Sequence, residues 1–306
     1  MLEWVNCVWA APTVAALLEP ALARLNSRLR GGAAVTACLV AALASLALPL
    51  TGMQGVLRWR WVSLPELGSV EFSLLLDSLS LVLAIVVAWV SLAVFIYSLG
   101  YMRGDPGFTR YWTLTLLFVG GMELLVLSEN LVAMLVGWEV VGICSFALIS
   151  YWYQDREEDR ATRWVGEPPE EYPPSHCGLK AFLVTRLADT LMVTGALALV
   201  VIAGTASLAE LADRTPNAPG EFLLASLILM YVGSLGKSAQ LPFMEWLPDA
   251  MAGPSSVSAL IHAATMVKAG IYLTARLAQL ALSWGSTADL ILISLLYRRA
   301  EWRPRS

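Results

Sequence analysis

Charged side chains are scarce in this sequence of 306 residues. Asp, Glu, Lys and Arg make up 14% of it, whereas 58% of the residues are hydrophobic. Soluble domains carry about a quarter charged residues, so the composition predicts a membrane protein in contact with the lipid bilayer. The net charge of -4 offers no basic surface for nucleic acid. With two histidines, neither a haem site nor a multi-histidine metal centre is indicated.

Cofactor motifs are also missing. The four cysteines (Cys7, Cys38, Cys144 and Cys177) show no CxxC spacing, so they predict neither a disulfide framework nor a zinc or iron–sulfur site. The segment Gly236-Lys-Ser resembles the end of a phosphate-binding loop, but Tyr231 stands where that motif requires glycine. We therefore expect no cofactor or metal to be bound by this chain.

What the sequence does contain is long apolar runs. A helix needs about 20 apolar residues to cross a bilayer. Eight runs approach that length, at 5–22, 33–51, 73–99, 111–127, 130–150, 178–203, 222–240 and 255–281. The sequence thus predicts an all-α, polytopic transmembrane helix bundle.

One of these helices is expected to be broken. Pro242 follows the run at 222–240, yet the chain stays apolar as a short second piece, Phe243 to Met251. Proline frees backbone groups that are tolerated within a membrane only where they line protein or a water-filled cavity. A break near 241–242 is therefore typical of an ion path.

Lys237 stands immediately before this break. Placing an ammonium group in hydrocarbon costs roughly 2.5–3.5 kcal/mol on insertion scales, so a lysine kept there usually has a function. A lysine near a helix end can instead extend to the surface. Because more apolar chain follows Lys237, we favour a buried, functional group.

Three further ionisable residues lie inside predicted spans. Glu139 is near the middle of its helix, where acids usually pair or carry protons. Arg186 and Asp189 are three residues apart and share a helix face. They form either a mutually neutralising pair, or a site in which Asp189 faces Lys237 or Glu139. The sequence leaves these alternatives open.

The last predicted span carries a polar stripe. Ser258, His262 and Thr265 follow the i, i+4, i+7 rule, so His262 is either a helix-packing residue or a proton carrier. Lys268 falls on a different face. Glu123 is a further candidate acid, although its position near Ser128 would allow it to reach the membrane interface.

Three segments resemble a known family. They are Gly137-Trp-Glu-Val-Val-Gly-Ile-Cys-Ser-Phe146, Lys180-Ala-Phe-Leu-Val-Thr-Arg-Leu-Ala-Asp189, and the long block from Gly236 to Val267. The chain from about Asp77 to Arg276 resembles the antiporter-like subunit L of NADH-quinone oxidoreductase, respiratory complex I. The last block is long and highly specific.

This resemblance implies inverted five-helix repeats with broken helices, of which this chain would hold the first. It implies N-terminal transmembrane helices over 1–110, one antiporter-like repeat over 111–281 and a shortened tail over 282–306. Motif by motif, Glu139 would be the acid paired with Lys237. Asp189 and Arg186 would be the charged pair of the family, and His262 the histidine that receives the proton.

The resemblance also implies a function and a setting. The chain would be a proton-translocating subunit with no redox centre of its own, in a plasma or equivalent energy-transducing membrane. NADH (or reduced F420 or ferredoxin), iron–sulfur clusters and quinone would be bound by partner subunits of the membrane assembly. Whether the chain is itself part of an enzyme is left open.

Two alternatives remain. Met266-Val-Lys268-Ala-Gly is similar to the large subunit of Mrp-type sodium/proton antiporters, which predicts cation exchange without an electron donor. The second repeat does not appear in these 306 residues, so a truncated fragment that has no function, or serves only assembly, is the other alternative.

Overall fold

A computed structural model describes residues 3–25, 30–64, 68–167, 170–214, 220–263 and 265–284. A 3-10 turn at Glu3–Asn6 leads into α1 (Cys7–Leu25) and α2 (Arg30–Leu50). The hairpin β1 (Gly55–Leu64) and β2 (Gly68–Leu76) follows, and then α3 (Ser78–Tyr101), α4 (Phe108–Leu127) and α5 (Leu131–Ile149).

The second half of the described chain is also mainly helical. A 3-10 turn (Glu157–Asp159), a short helix α6 (Arg160–Arg163) and the small hairpin β3 (Val165–Glu167) and β4 (Glu170–Tyr172) lead to α7 (Pro174–Ala203). The remaining elements are α8 (Leu208–Arg214), α9 (Gly220–Lys237), α10 (Trp246–Asp249), a 3-10 turn (Ala250–Ala252), α11 (Ser255–Ala263) and α12 (Met266–Trp284).

The predicted helical membrane bundle is confirmed. Eight stretches of the described chain are helical, long and apolar enough to cross a membrane, and they overlap all eight predicted runs. Large apolar side chains such as Leu17, Leu187 and Val201 lie on the outside of the bundle, where lipid would cover them. The chain is a multi-pass membrane protein.

Some boundaries differ from the prediction. Residues 73–76 belong to β2, because Asp77 caps the next helix by accepting a hydrogen bond from the Ser80 backbone N–H (2.8 Å). Both antiparallel hairpins were missed, and β1 has an irregular register between Arg60 and Val62. The tail expected over 282–306 lies outside the described residues from 285 onward.

The span predicted over 255–281 is present, but it is not one continuous helix. α11 ends at Ala263 and α12 begins at Met266, so the chain has a second helix break. Thr265 lies beyond the end of α11, where its hydroxyl donates to the Leu260 carbonyl. The polar stripe therefore does not continue along one helix from Ser258 to Thr265.

α7 and α9 approach each other closely, and small residues permit this. A methyl group built on Gly236 would lie 2.4 Å from the Ala188 Cβ, and one built on Gly233 would lie 2.5 Å from the Met192 Cβ. Small residues let helix backbones come together in a membrane. The close packing places the end of α9 directly against the middle of α7.

Candidate functional site

The end of α9 places an ammonium group in the buried interior of the bundle. Lys237 is the last residue of α9, and its side chain is 0% exposed. Its Nζ lies 3.2 Å from Oδ2 of Asp189 on α7, which is 2% exposed. The ammonium makes no hydrogen bond of good alignment within the described chain. Charge, rather than directional hydrogen bonding, therefore holds this pair.

The backbone turn after Lys237 fixes the position of the lysine. The Gln240 N–H donates to the Leu235 carbonyl (2.9 Å), and the Ala239 N–H donates to the Gly236 carbonyl (3.2 Å). This is the helix-ending Schellman pattern, with Ala239 in the left-handed region at φ 48°. The Leu241–Pro242 peptide bond is cis. The predicted break is therefore present, and α9 stops four residues before the expected leucine–proline step.

A buried tryptophan helps to satisfy the freed backbone. Nε1 of Trp246, the first residue of α10, donates to the Gly236 carbonyl (2.9 Å). Because the last carbonyls of a helix have no partner within it, such bonds are needed at membrane depth. The predicted short piece after Pro242 consists of α10 and the 3-10 turn that follows.

Asp189 also contacts α5. Its Oδ1 accepts a hydrogen bond from Nε1 of Trp138 (2.6 Å), and the Lys237 Nζ lies 5.6 Å from the centre of the Trp138 ring. A methyl group built on Gly142, one turn further along α5, would lie 2.7 Å from that Nζ. Trp138 and Gly142 thus shape the space around the ion pair. Neither residue is a candidate from the sequence alone, although both lie in the segment Gly137 to Phe146 that resembles the family.

Glu139 has a different partner from the one we expected. Its Oε2 contacts Nη1 of Arg186 on α7, and the two side chains are 28% and 35% exposed. The expected Glu139–Lys237 pair is wrong. α7 packs against both α5 and α9, and Asp189 of α7 contacts the lysine in place of Glu139. Arg186 and Asp189, left open as a mutual pair, instead bond to residues of two other helices.

A third charged pair was not predicted. Nζ of Lys180, also on α7, lies 2.9 Å from Oδ2 of Asp249 at the end of α10. It holds the short segment after the break against the first half of α7. The signal was present in the sequence, since both residues lie in the quoted motifs. α7 consequently carries three residues that each form an ion pair with a different element.

His262 lies in the last turn of α11, next to the second break. Both ring nitrogens lack a hydrogen-bond partner among the described residues. The two breaks are joined by Ser238, whose hydroxyl donates to the Val267 carbonyl (2.8 Å). No ion pair or hydrogen bond within the described chain connects His262 to Lys237 directly. The link between them runs from the end of α9 to the start of α12, which follows the last turn of α11.

The chain is similar to known membrane proteins in both sequence and fold. The family described as "NADH:quinone oxidoreductase/Mrp antiporter, TM" matches residues 170–297, and "NADH-Ubiquinone oxidoreductase (complex I), chain 5 N-terminus" matches residues 61–112. NADH-quinone oxidoreductase subunit L of Escherichia coli is 42% identical over 221 residues, which are 71% of this chain and 33% of that protein. The chloroplastic NAD(P)H-quinone oxidoreductase subunit 5 of Nephroselmis olivacea is 35% identical over 82% of this chain and 38% of its own length.

Solved structures have a similar fold. The Mrp complex from Dietzia sp. matches with a TM-score of 0.74 at 29% identity, over 94% of this chain and 29% of that one. The archaeal membrane-bound sulfane sulfur reductase matches with a TM-score of 0.79 at 18% identity, over 97% of this chain and 57% of that one, which shows the fold alone. The chain spans about a third of the length of the curated relatives it matches.

Proposed function

Because the chain belongs to the family of antiporter-like membrane subunits that includes NADH-quinone oxidoreductase subunit L, we propose that it is a proton-translocating subunit of a redox-driven membrane complex. Glu139, Lys237 and His262 would carry the proton, and Asp189 and Arg186 would be the charged pair that compensates their charges. The electron donor, whether NADH, reduced F420 or ferredoxin, would react elsewhere. Iron–sulfur clusters and quinone would likewise be bound by partner subunits of the membrane assembly.

The observation that carries this proposal is the arrangement of two ion pairs on one helix. Asp189 and Arg186 are three residues apart on α7, and they contact Lys237 of α9 and Glu139 of α5 respectively. Residues at i and i+3 lie on one helix face. Arg186 is therefore an alternative cationic partner for Asp189. The two side chains could meet by rotating about their own bonds, without movement of the α7 backbone.

This alternative suggests how a proton is released. While Asp189 faces Lys237, the carboxylate compensates the buried ammonium. Removing one member of a buried ion pair leaves an uncompensated charge that costs about 3–5 kcal/mol. If Asp189 turned towards Arg186, the ammonium of Lys237 would be left without compensation and would lose its proton. Glu139, released from Arg186, would be free to receive the next proton.

The break after α9 and the break between α11 and α12 indicate where the proton of Lys237 goes when it is released. The Ser238 hydroxyl connects the end of α9 to the start of α12, beside the last turn of α11 that contains His262. An imidazole with two unpartnered nitrogens can accept a proton at one and donate it from the other. We assign His262 the role of receiving the proton from Lys237 through water or a small movement of α11.

The test is proton transfer in the assembled complex. In vesicles that contain the complex and an entrapped pH-sensitive dye, Asp189→Asn, Lys237→Ala and Glu139→Ala should each lower the number of protons moved per electron. Arg214→Ala is a matched control, because Arg214 forms an exposed pair with Glu210 on α8. An unchanged proton-to-electron ratio in both Asp189→Asn and Lys237→Ala would contradict the proposal.

A sodium/proton antiporter is the second candidate. It is favoured by the 29% identity to the Mrp complex and by Lys268, which lies in the segment that resembles Mrp subunits. This function predicts that a sodium gradient changes the internal pH of vesicles when no electron donor or quinone is present. If neither assay gives a signal and the chain is absent from the purified complex, it is a fragment without a transport function.

A further inference from the structure

Glu123 of α4 is buried, and no donor or cation of the described part of the chain bonds to its carboxyl group. Its side chain is 0% exposed, and both carboxylate oxygens lack a hydrogen-bond partner among the residues that the structure describes. The Glu123 side chain is therefore enclosed by protein and does not extend to the surface of the bundle. No ion pair of the described chain includes this acid.

The orientation of α4 directs Glu123 away from the ion pairs described above. A methyl group on Gly121 would contact Val140 of α5, and one on Gly120 would contact Thr13 of α1. At 100° per residue, Glu123 lies about 200° round the helix from Gly121, and so on the side away from α5. The Asp189 and Lys237 pair, beyond α5, belongs to a different part of the bundle.

The titratable groups near Glu123 are few. Cys38 of α2 is within electrostatic range of the Glu123 carboxyl, and its thiol is directed at the Ala88 carbonyl of α3 (3.8 Å). On α12, the Tyr272 hydroxyl donates to the Val126 carbonyl, one turn further along α4. The buried acid of α1 is Glu19, six residues beyond Thr13. The cation bonded to the Tyr272 hydroxyl is Arg276, whose guanidinium pairs with Asp77 and not with Glu123.

A nearby acid, equally buried, shows how the structure can supply hydrogen-bond donors to a carboxyl group. Glu129 is 1% exposed, but it accepts hydrogen bonds from the Ser73 hydroxyl (2.7 Å), the Ser207 hydroxyl and the Ala209 N–H (3.3 Å). Glu123 has none of these donors. A buried carboxylate without donors or a cation takes up a proton instead of remaining charged.

We propose that Glu123 is a proton-binding site in the bundle formed by α1, α2, α3 and α4, separate from the ion pairs of α5, α7 and α9. It holds a neutral carboxylic acid where the membrane interior is otherwise apolar. This inference does not depend on the proposed function, because it concerns the protonation of one side chain and not electron transfer or pumping.

An apolar carbodiimide is a suitable probe, because it reacts with un-ionised acids in apolar surroundings. The acid proton passes to one carbodiimide nitrogen while the carboxyl oxygen adds to the central carbon, which gives an O-acylisourea. Without water or a nucleophile, the acyl group then migrates to nitrogen and forms a stable N-acylurea. The whole reaction is an addition, with no leaving group and no change of oxidation state.

The experiment treats membranes that contain the full chain with dicyclohexylcarbodiimide and locates the adduct by peptide mass spectrometry. Glu123 should be modified at least about tenfold more than Glu129, because only Glu123 lacks donors for the charged form. Glu123→Gln should remove the adduct, and a water-soluble carbodiimide should modify exposed acids such as Glu157 instead. Equal modification of Glu123 and Glu129 would overturn the proposal.

Infrared difference spectroscopy provides a measurement that does not depend on access of the reagent. The wild-type chain at mildly alkaline pH should show the carbonyl stretch of an un-ionised carboxylic acid, and Glu123→Gln should lose it. This band supports the proposal even if the carbodiimide fails to reach the site. If both the adduct and the band are absent, Glu123 is ionised and the proposal is wrong.

Discussion

The pairing of Lys237 with Asp189, rather than with Glu139, can be tested by double-mutant cycles. In the first cycle, Asp189→Asn and Lys237→Met are made singly and together. Asparagine can still accept the hydrogen bond from Trp138 Nε1, so this substitution removes the charge and keeps that contact. The second cycle replaces Asp189→Asn with Glu139→Gln.

The expected magnitudes follow from the geometry. At the Nζ–Oδ2 distance of 3.2 Å and an effective dielectric constant of about 20, the attraction between the two charges is about 5 kcal/mol. Loss of one partner of a buried pair typically costs about 3–5 kcal/mol. Each single substitution in the first cycle should therefore destabilise strongly, and the double substitution should cost no more than about one single substitution. The coupling energy should be about 3–5 kcal/mol.

The second cycle should give a coupling energy below about 1 kcal/mol, because Glu139 is partly exposed and bonded to Arg186. Reversible unfolding in mixed detergent micelles, followed by tryptophan fluorescence, measures all of these free energies. A coupling energy for Glu139 and Lys237 that equals or exceeds that for Asp189 and Lys237 would refute the pairing described here.

Two further predictions concern the space around the lysine and the start of a spanning helix. Gly142→Ala would place a methyl group 2.7 Å from the Lys237 Nζ. It should lower proton transfer per electron with little loss of stability, since the end of a flexible chain can move. Gly137→Ala, which meets backbone atoms of α4 at 2.7 Å and 2.8 Å, should instead lower the melting temperature, and the reverse outcome would contradict this account. Burial alone would raise the pKa of Asp77, but hydrogen bonds from Arg276 and from the Ser80 N–H hold that pKa below its ordinary value of 3.8. The stability that this pair contributes is therefore present at neutral pH and is lost as the pH falls through the lowered pKa. Asp77→Asn should be less stable at neutral pH and should show a weaker loss of stability in acid, as measured by melting temperature against pH; an unchanged acid profile would argue against it.

The sequence by itself determined the class of structure and the residues to examine. Apolar runs of spanning length have only one stable solution in lipid, which is a helix that satisfies its own backbone, so all eight spans could be predicted. The cost of burying an ammonium or a carboxylate likewise identified Lys237, Glu139, Arg186 and Asp189 before any geometry was known. The break after Lys237 followed from proline, which removes a backbone donor.

The tertiary structure decided which charges meet. Spacing along α7 placed Arg186 and Asp189 on one face, but which neighbouring helix each residue contacts depends on how α5 and α9 pack against that face. The glycines that bring α9 against α7 set this packing, and they produced the Asp189–Lys237 pair in place of the expected one. The same applies to Glu123 and to the break between α11 and α12. Periodicity gives the position of a residue on its own helix, whereas burial and partners are properties of the helices around it.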